Sequence, residues 1–184
     1  MTRYAIWSDF RGVLTPPVSE GVRQFCEGEA FAPEQIFECL RAIGRRHDCP
    51  DGMAVLDSGI LDERQWTREI ERELRERFGV RADLADFGAT WWSDQRIDRA
   101  WVDAVRAWRA EGVFVGLMSN LPLEWKGHLE SFPAVADLFD DVLLSCDIGA
   151  RKPEPEIFSV ASARSGREPR FCVLVDDLPD NVAG

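Results

Sequence analysis

Apolar residues recur along this chain with two different periods, and the change from one to the other divides it. Residues 4–9 are a short apolar run that predicts a buried strand. From residue 16 to about 95 nothing reads as a strand, and the helical period dominates. Residues 18–30 and 33–46 are predicted helices, the second with Pro33 in its first turn, where a missing N–H costs nothing. "DCPDG", Asp48 to Gly52, reads as a turn. In "LDERQWTREIERELRERFG", Leu61 to Gly79, the residues Trp66, Ile70, Leu74 and Phe78 fall four apart on one helical face. Gly79 stands where such a helix stops. "IDRAWVDAVRAWRAEG", Ile97 to Gly112, repeats the pattern with Ile97, Trp101, Val105 and Trp108 aligned.

After Gly112 the period shortens. Three apolar runs, Val113 to Ser119, Asp141 to Ser145 and Phe171 to Asp177, predict buried parallel strands. Helical stretches around 124–131 and 154–165 separate them. This alternation predicts an α/β fold with a doubly wound parallel sheet. Residues 1–15 and 96–184 form the expected α/β core, and residues 16–95 an all-helical insertion after the first strand. No internal repeat or low-complexity segment interrupts this plan.

Length and composition fit one globular domain with an insertion. The 184 residues carry 22 basic and 33 acidic side chains, a net charge of −11. The basic stripe of a nucleic-acid binder is absent, as is a polybasic membrane patch. A field of this sign repels anions at long range, so an anionic ligand must be gripped by local groups. Five cysteines, none in C-x-x-C spacing, suit reduced thiols in the cytoplasm; Cys146 and Cys172 read as small core residues. No leader peptide is expected, because Arg3 and Asp9 interrupt the first apolar run, and no stretch is long enough to span a membrane. A homo-oligomer is left open.

The chemistry gathers where the predicted strands end. The first ends at Asp9, in "IWSDFRGVLTPP". The second ends at Ser119 and Asn120, the third leads into a loop holding Lys152, and the fourth ends in Asp176 and Asp177. Ligands of open parallel sheets bind beyond the carboxyl ends of the strands. One site would therefore collect a carboxylate, a hydroxyl, an ammonium and an acidic pair. Clustered carboxylates repel one another unless a cation lies among them, and hard oxygen ligands suit Mg²⁺. A free carboxylate oxygen can attack phosphorus, while the hydroxyl and ammonium hold the transferred group.

These stretches resemble the four motifs of the haloacid-dehalogenase-like (HAD) hydrolase superfamily, in the branch with a helical cap inserted after the first strand. "WSDFRGVL", "VGLMSN", "RKPEPEIF" and "VLVDDLPDN" occur in family order across essentially the whole chain. The resemblance implies a hydrolase, most often a phosphatase of a small phosphorylated metabolite working through an aspartyl-phosphate. Asp9 would be the nucleophile and a metal ligand. Arg11 would lend its backbone carbonyl to the metal. Ser119, Asn120 and Lys152 would bind the transferred group, with Lys152 also offsetting the charge of Asp9. Asp176 and Asp177 would hold Mg²⁺, with Asp180 and Asn181 as weaker candidates.

Two features depart from the family pattern. The residue two after the nucleophile is usually an Asp that protonates the leaving oxygen and later deprotonates water; here it is Arg11, which can do neither. Arg11 could instead grip a substrate anion or pair with a neighbouring acid. Dehalogenases of the family also lack this acid, which keeps an aspartyl-ester mechanism as the alternative, although the acidic pair favours Mg²⁺. A catalytically silent binding fold is the third reading. The second departure is the ending: family members continue past the acidic pair with a helix and a strand, so the fourth strand is expected to lie as an exposed edge.

Other conspicuous residues read as structural. The Trp stripes are expected in the core. Of the adjacent pair Trp91 and Trp92, one ring is expected to face solvent or substrate. His47 and His128 read as surface or boundary residues, and the Arg45–His47 stretch as a solvated helix end.

Overall fold

A computed structural model of the protein describes residues 3–93 and 96–183. In chain order the elements are β1 (Ala5–Ser8), α1 (Val18–Phe25), α2 (Pro33–Arg46), α3 (Gly52–Asp57), α4 (Glu63–Phe78), α5 (Phe87–Ser93) and α6 (Arg99–Ala110). They continue with β2 (Phe114–Ser119), α7 (Lys126–Glu130), α8 (Pro133–Leu138), β3 (Asp141–Leu144), α9 (Ser145–Ile148), α10 (Pro155–Ser165), β4 (Cys172–Val175) and α11 (Pro179–Val182). Two compact units emerge. One comprises residues 1–17, 96–121 and 125–184; the other comprises 18–95 with 122–124.

The first unit is built on a parallel four-stranded sheet in the order β3-β2-β1-β4. Central β1 and β2 are apolar nearly throughout, because helices cover a parallel sheet. Trp7 and Met118 from the sheet pack with Leu143, Ile157 and Ala161 in a core sealed from water. Trp7 fits only because residue 116 is glycine: a Cβ there would lie 2.4 Å from the Trp7 ring. Asp98 caps α6 by accepting from the amides of Ala100 and Trp101. At the other end of α6, Arg109 binds Asp140 and the carbonyls of Asp137 and Leu138, while Asp140 accepts from the amide of Val115. This ties the helix to the start of β2. β4 bonds to β1 on one side and is an edge strand among the described residues, with Val173 exposed.

The strands are shorter than their apolar runs suggest. Asp9 lies just past β1 and the acidic pair just past β4, which leaves these carboxylates on loops. Ser145 begins α9 instead of ending β3.

The second unit is all-helical among its described residues. Asp62 and Gln65 form a reciprocal capping box at the start of α4, and Gly79 closes it in the left-handed region at φ 69°. The predicted first helix is shorter than residues 18–30, ending at Phe25. The "DCPDG" turn runs directly into α3, whose cap Asp51 accepts from the amide of Ala54. Both Trp91 and Trp92 are buried, contrary to the expectation that one ring would be free. Helix α5 is short and buries a wide arc: Trp91 stacks on Phe87 with ring centres 5.5 Å apart and lies over Gly21. Arg45 and Arg46 are exposed, as expected of a solvated helix end, but Arg46 also has partners. It bridges Glu69 and the buried Glu73, which also binds Arg77, and His47 lies 3.4 Å from Glu69. Burial pushes the Glu73 carboxyl up, but the two arginines outweigh that and hold it below the usual range.

All five cysteines are free thiols; Cys146 and Cys172 are half-buried. Among the described residues no helix is long and apolar enough to cross a membrane.

Candidate active site

Asp9 follows the last residue of β1, and its amide continues the ladder by donating to the carbonyl of Val175. Its own carbonyl accepts from the hydroxyl of Ser8, which in turn accepts from the indole of Trp101. The turn beyond it is closed on itself. Leu14 and Thr15 donate their amides to Phe10, and Gly12 donates to Thr15. Gly12 has φ 80°, a conformation suited to glycine, and a Cβ there would lie 2.0 Å from the carboxyl carbon of Asp177. The Asp177 carboxylate therefore rests directly on this turn.

Lys152 is the centre of the cluster. Its ammonium is buried and lies 2.8 Å from Oδ1 of Asp9 and 2.6 Å from Oδ2 of Asp176, and it donates to the carbonyl of Met118 at 3.0 Å. All three of its protons are thus engaged. Asp176 is fully buried at its side chain and accepts further bonds from the amide of Leu178 and from the side-chain amide of Asn181. Ser119 is buried at the tip of β2.

Asn120 faces the main chain of Lys152. Its Nδ2 donates to the carbonyl of Lys152 at 3.0 Å, and its Oδ1 accepts from the amide of Lys152 at 2.8 Å. A second clasp joins the same loops: the hydroxyl of Ser145 accepts from the amide of Leu121 and donates to its carbonyl. Asp180 is exposed on α11, whereas Asn181 is buried against Asp176.

Electrostatics make the cluster receptive to a cation. Ligand oxygens of Asp9, Asp176 and Asp177 all lie within 4.8 Å of one another. Burial lifts the Asp9 carboxyl to about 6, with Lys152 opposing and the charge of Asp176 adding to the rise. Asp177 is likewise raised, by burial and then by Asp176. Arg11 is half-buried; desolvation lowers its guanidinium to about 10, against the pull of Asp9, and leaves it protonated at neutral pH. The donor set is entirely oxygen, arranged for a small hard cation, and a dication there would leave the site net positive towards an anion.

Most of these residues were marked by their place at strand ends. Trp101, Ser8 and Ser145 were not. Trp101 looked like one more member of an apolar stripe, and only its indole N–H reveals a polar use. Ser145 carried a weak signal, a hydroxyl directly after an apolar run.

Comparison with known proteins agrees with this geometry. Residues 5–184 match the model of a hydrolase family described as haloacid dehalogenase-like hydrolase. Hexitol phosphatase B of Escherichia coli K12 is 25% identical over 140 residues, covering 73% of this chain and 60% of that protein. Flavin mononucleotide hydrolase 1 of Arabidopsis thaliana is 24% identical over 149 residues, covering 81% and 55%. The chain thus spans less than two thirds of the curated relatives it matches. A HAD family enzyme of Bacteroides thetaiotaomicron, crystallised with magnesium and inorganic phosphate, shares the fold with a TM-score of 0.63 at 21% identity, covering 98% of this chain and 87% of that one. A crystallised dehalogenase superposes with a TM-score of 0.71 at 17% identity, covering 98% and 79%. With the family model covering nearly its whole length and the strand-end cluster in place, the chain belongs to the haloacid dehalogenase-like hydrolases.

Proposed function

We propose that this protein is a Mg²⁺-dependent phosphatase of small phosphorylated molecules, working through an aspartyl-phosphate on Asp9. The carrying observation is the convergence of Asp9, Asp176 and Asp177 within 4.8 Å around an ammonium that is already saturated. Asp9, Asp176, Asp177 and the carbonyl of Arg11 would hold Mg²⁺. When bound, it supplies charge neutralisation for the clustered carboxylates and for the phosphoryl oxygens.

The chain's own groups divide the remaining work. A carboxylate oxygen of Asp9 attacks phosphorus, positioned by the Ser8 and Val175 contacts at its backbone. Ser119 donates to the transferred oxygens, and the Lys152 ammonium, its protons held by Asp9, Asp176 and the Met118 carbonyl, offsets their charge. Asn120 holds the main chain of Lys152, which makes it a positioning residue in this scheme instead of a direct substrate ligand. The helical unit serves as the cap that selects the substrate. Five free cysteines suit a reducing cytoplasm.

A second reading, dehalogenation through an aspartyl ester, is favoured by Arg11, since a carbon–halogen bond needs no leaving-group proton. The acidic pair counts against it. A panel of phosphate esters and 2-haloacids, assayed with and without Mg²⁺ on the wild type and on Asp9→Asn, separates the readings. Mg²⁺-dependent phosphate release that vanishes in Asp9→Asn is expected. Metal-independent halide release would replace the proposal with the second reading. No turnover, together with no uptake of beryllofluoride in the presence of Mg²⁺, would indicate a silent binding fold.

A further inference from the structure

We infer that Arg11 separates the two halves of the reaction. The protein takes phosphoryl donors whose leaving group needs no proton, and then retains the phosphoryl group on Asp9. This rests on the reading of Asp9 as a phosphoryl acceptor.

The position of Arg11 is fixed by its turn. Phe10 and Leu14 are buried on either side of it, the Phe10 carbonyl accepts from the amides of Leu14 and Thr15, and Gly12 is pinned beneath Asp177. Arg11 is thereby held two residues past the nucleophile, with its guanidinium half-buried. A guanidinium offers donors only and carries no proton that it can pass on or take up. Among the described residues of the cluster, none replaces that function. Lys152 is held between two carboxylates and a carbonyl, and Asp9, Asp176 and Asp177 form the cation cluster.

In the first half, a carboxylate oxygen of Asp9 forms a bond to phosphorus. The bond from phosphorus to the leaving oxygen breaks, and that oxygen keeps the electron pair. An alkoxide must be protonated as it departs. A carboxylate, a phosphate or a phenolate departs as a stable anion. Acyl phosphates, phosphoanhydrides and aryl phosphates can therefore complete this half without an acid, whereas sugar and other alkyl phosphates cannot.

In the second half, the oxygen of water bonds to phosphorus, the bond to Asp9 breaks, and one proton must leave the water. Every donor has by then produced the same phosphorylated Asp9, so no choice of substrate compensates for a missing base. The positive charge of Arg11 also stabilises the phosphoryl dianion. Formation outruns hydrolysis, and the phosphorylated protein accumulates.

The test is a rapid-quench time course on the full chain with Mg²⁺ and acetyl phosphate or p-nitrophenyl phosphate, read by intact mass. The expected result is close to one hydroxylamine-labile phosphoryl group per chain and a matching product burst, followed by a slow steady rate. Glycerol phosphate should label far less. Arg11→Asp should accelerate decay of the phosphorylated form by about 10²-fold or more and remove the burst. Arg11→Gln, which supplies neither acid nor base, should keep the burst. Brisk linear turnover, equal on glycerol phosphate and p-nitrophenyl phosphate and with unlabelled protein, would overturn the inference and leave Asp9 as the nucleophile. No labelling, no product and no beryllofluoride uptake would overturn the underlying reading as well.

Discussion

The ammonium of Lys152 stands 2.8 Å from Oδ1 of Asp9, and both side chains are shielded from water. The same ammonium reaches Asp176, so it carries the electrostatic balance of two buried acids before any metal arrives. A cation in this position acts on stability as well as on catalysis.

Replacing it with an apolar residue of similar length, Lys152→Met, would leave two buried carboxylates facing each other. Breaking a buried pair costs about 3–5 kcal/mol at neutral pH. Asp9, already raised by burial, would lose the opposing pull of Lys152 and rise further, so the deficit should shrink towards acid pH as it takes up a proton. Urea unfolding at neutral and acid pH measures this. A loss independent of pH would mean that packing, and not charge, is the main contribution of Lys152.

Asn120 offers a sharper separation of roles. Its amide clasps the main chain of Lys152 through two bonds. Asn120→Ala should displace the ammonium and slow phosphorylation of Asp9 by about 10²-fold, the effect expected of a misplacement near 1 Å. The apparent affinity for inorganic phosphate should change much less, because the ammonium itself remains. If affinity falls as far as the rate, Asn120 contacts the substrate directly.

A third outcome concerns the sheet alone. Gly116 lies under the ring of Trp7, which is 1% exposed and packed against Phe114. Gly116→Ala would drive a methyl group into that ring and should destabilise the protein by about 1–3 kcal/mol. Trp7→Phe in the same background removes the colliding atoms, so the two changes should cost less together than the sum of their separate effects. Thermal or urea unfolding of the four proteins completes the cycle. Additive effects would mean that the strands adjust without strain.

The sheet and its carboxyl-end cluster could be read in advance for one physical reason. Parallel strands are continuous apolar runs, and a polar residue at the end of such a run is conspicuous. Asp9, Ser119 and Asp176 all stand out in this way. Lys152 is on a loop and was marked by its place beyond the third apolar run. Less legible were contacts whose meaning depends on a distant partner. Arg46 is exposed, as a helix end should be, but its ion pairs were not legible because its acceptors, Glu69 and Glu73, belong to another helix. The Trp91–Trp92 pair misled because adjacent helical positions normally diverge, yet a short helix can be covered on both sides. Helix α3 was hidden by its cap: Asp51 sits in a Pro-Asp-Gly sequence that reads as a turn until the apolar residues after it are counted.

The raised carboxyl of Asp9 gives the last expectation its sign. Its folded value, about 6, exceeds the ordinary value of 3.8, chiefly through burial. Between those two values the native state keeps a proton that the unfolded chain has released, so this group's contribution to stability declines as pH rises through that window and is flat above it. Mg²⁺ needs the ionised form, and below about 6 the proton competes for the same oxygen, weakening binding by up to about tenfold per pH unit. The increase in Tm produced by Mg²⁺ should thus be full near pH 7.5 and shrink steadily as pH is lowered past 6. In Asp9→Asn the smaller remaining shift should depend on pH less steeply, because one competing proton is gone while that of Asp177, also raised by burial, remains. A wild-type shift that stays constant from acid to neutral pH would remove Asp9 from the metal's ligands and leave the acidic pair after β4 to hold the ion alone.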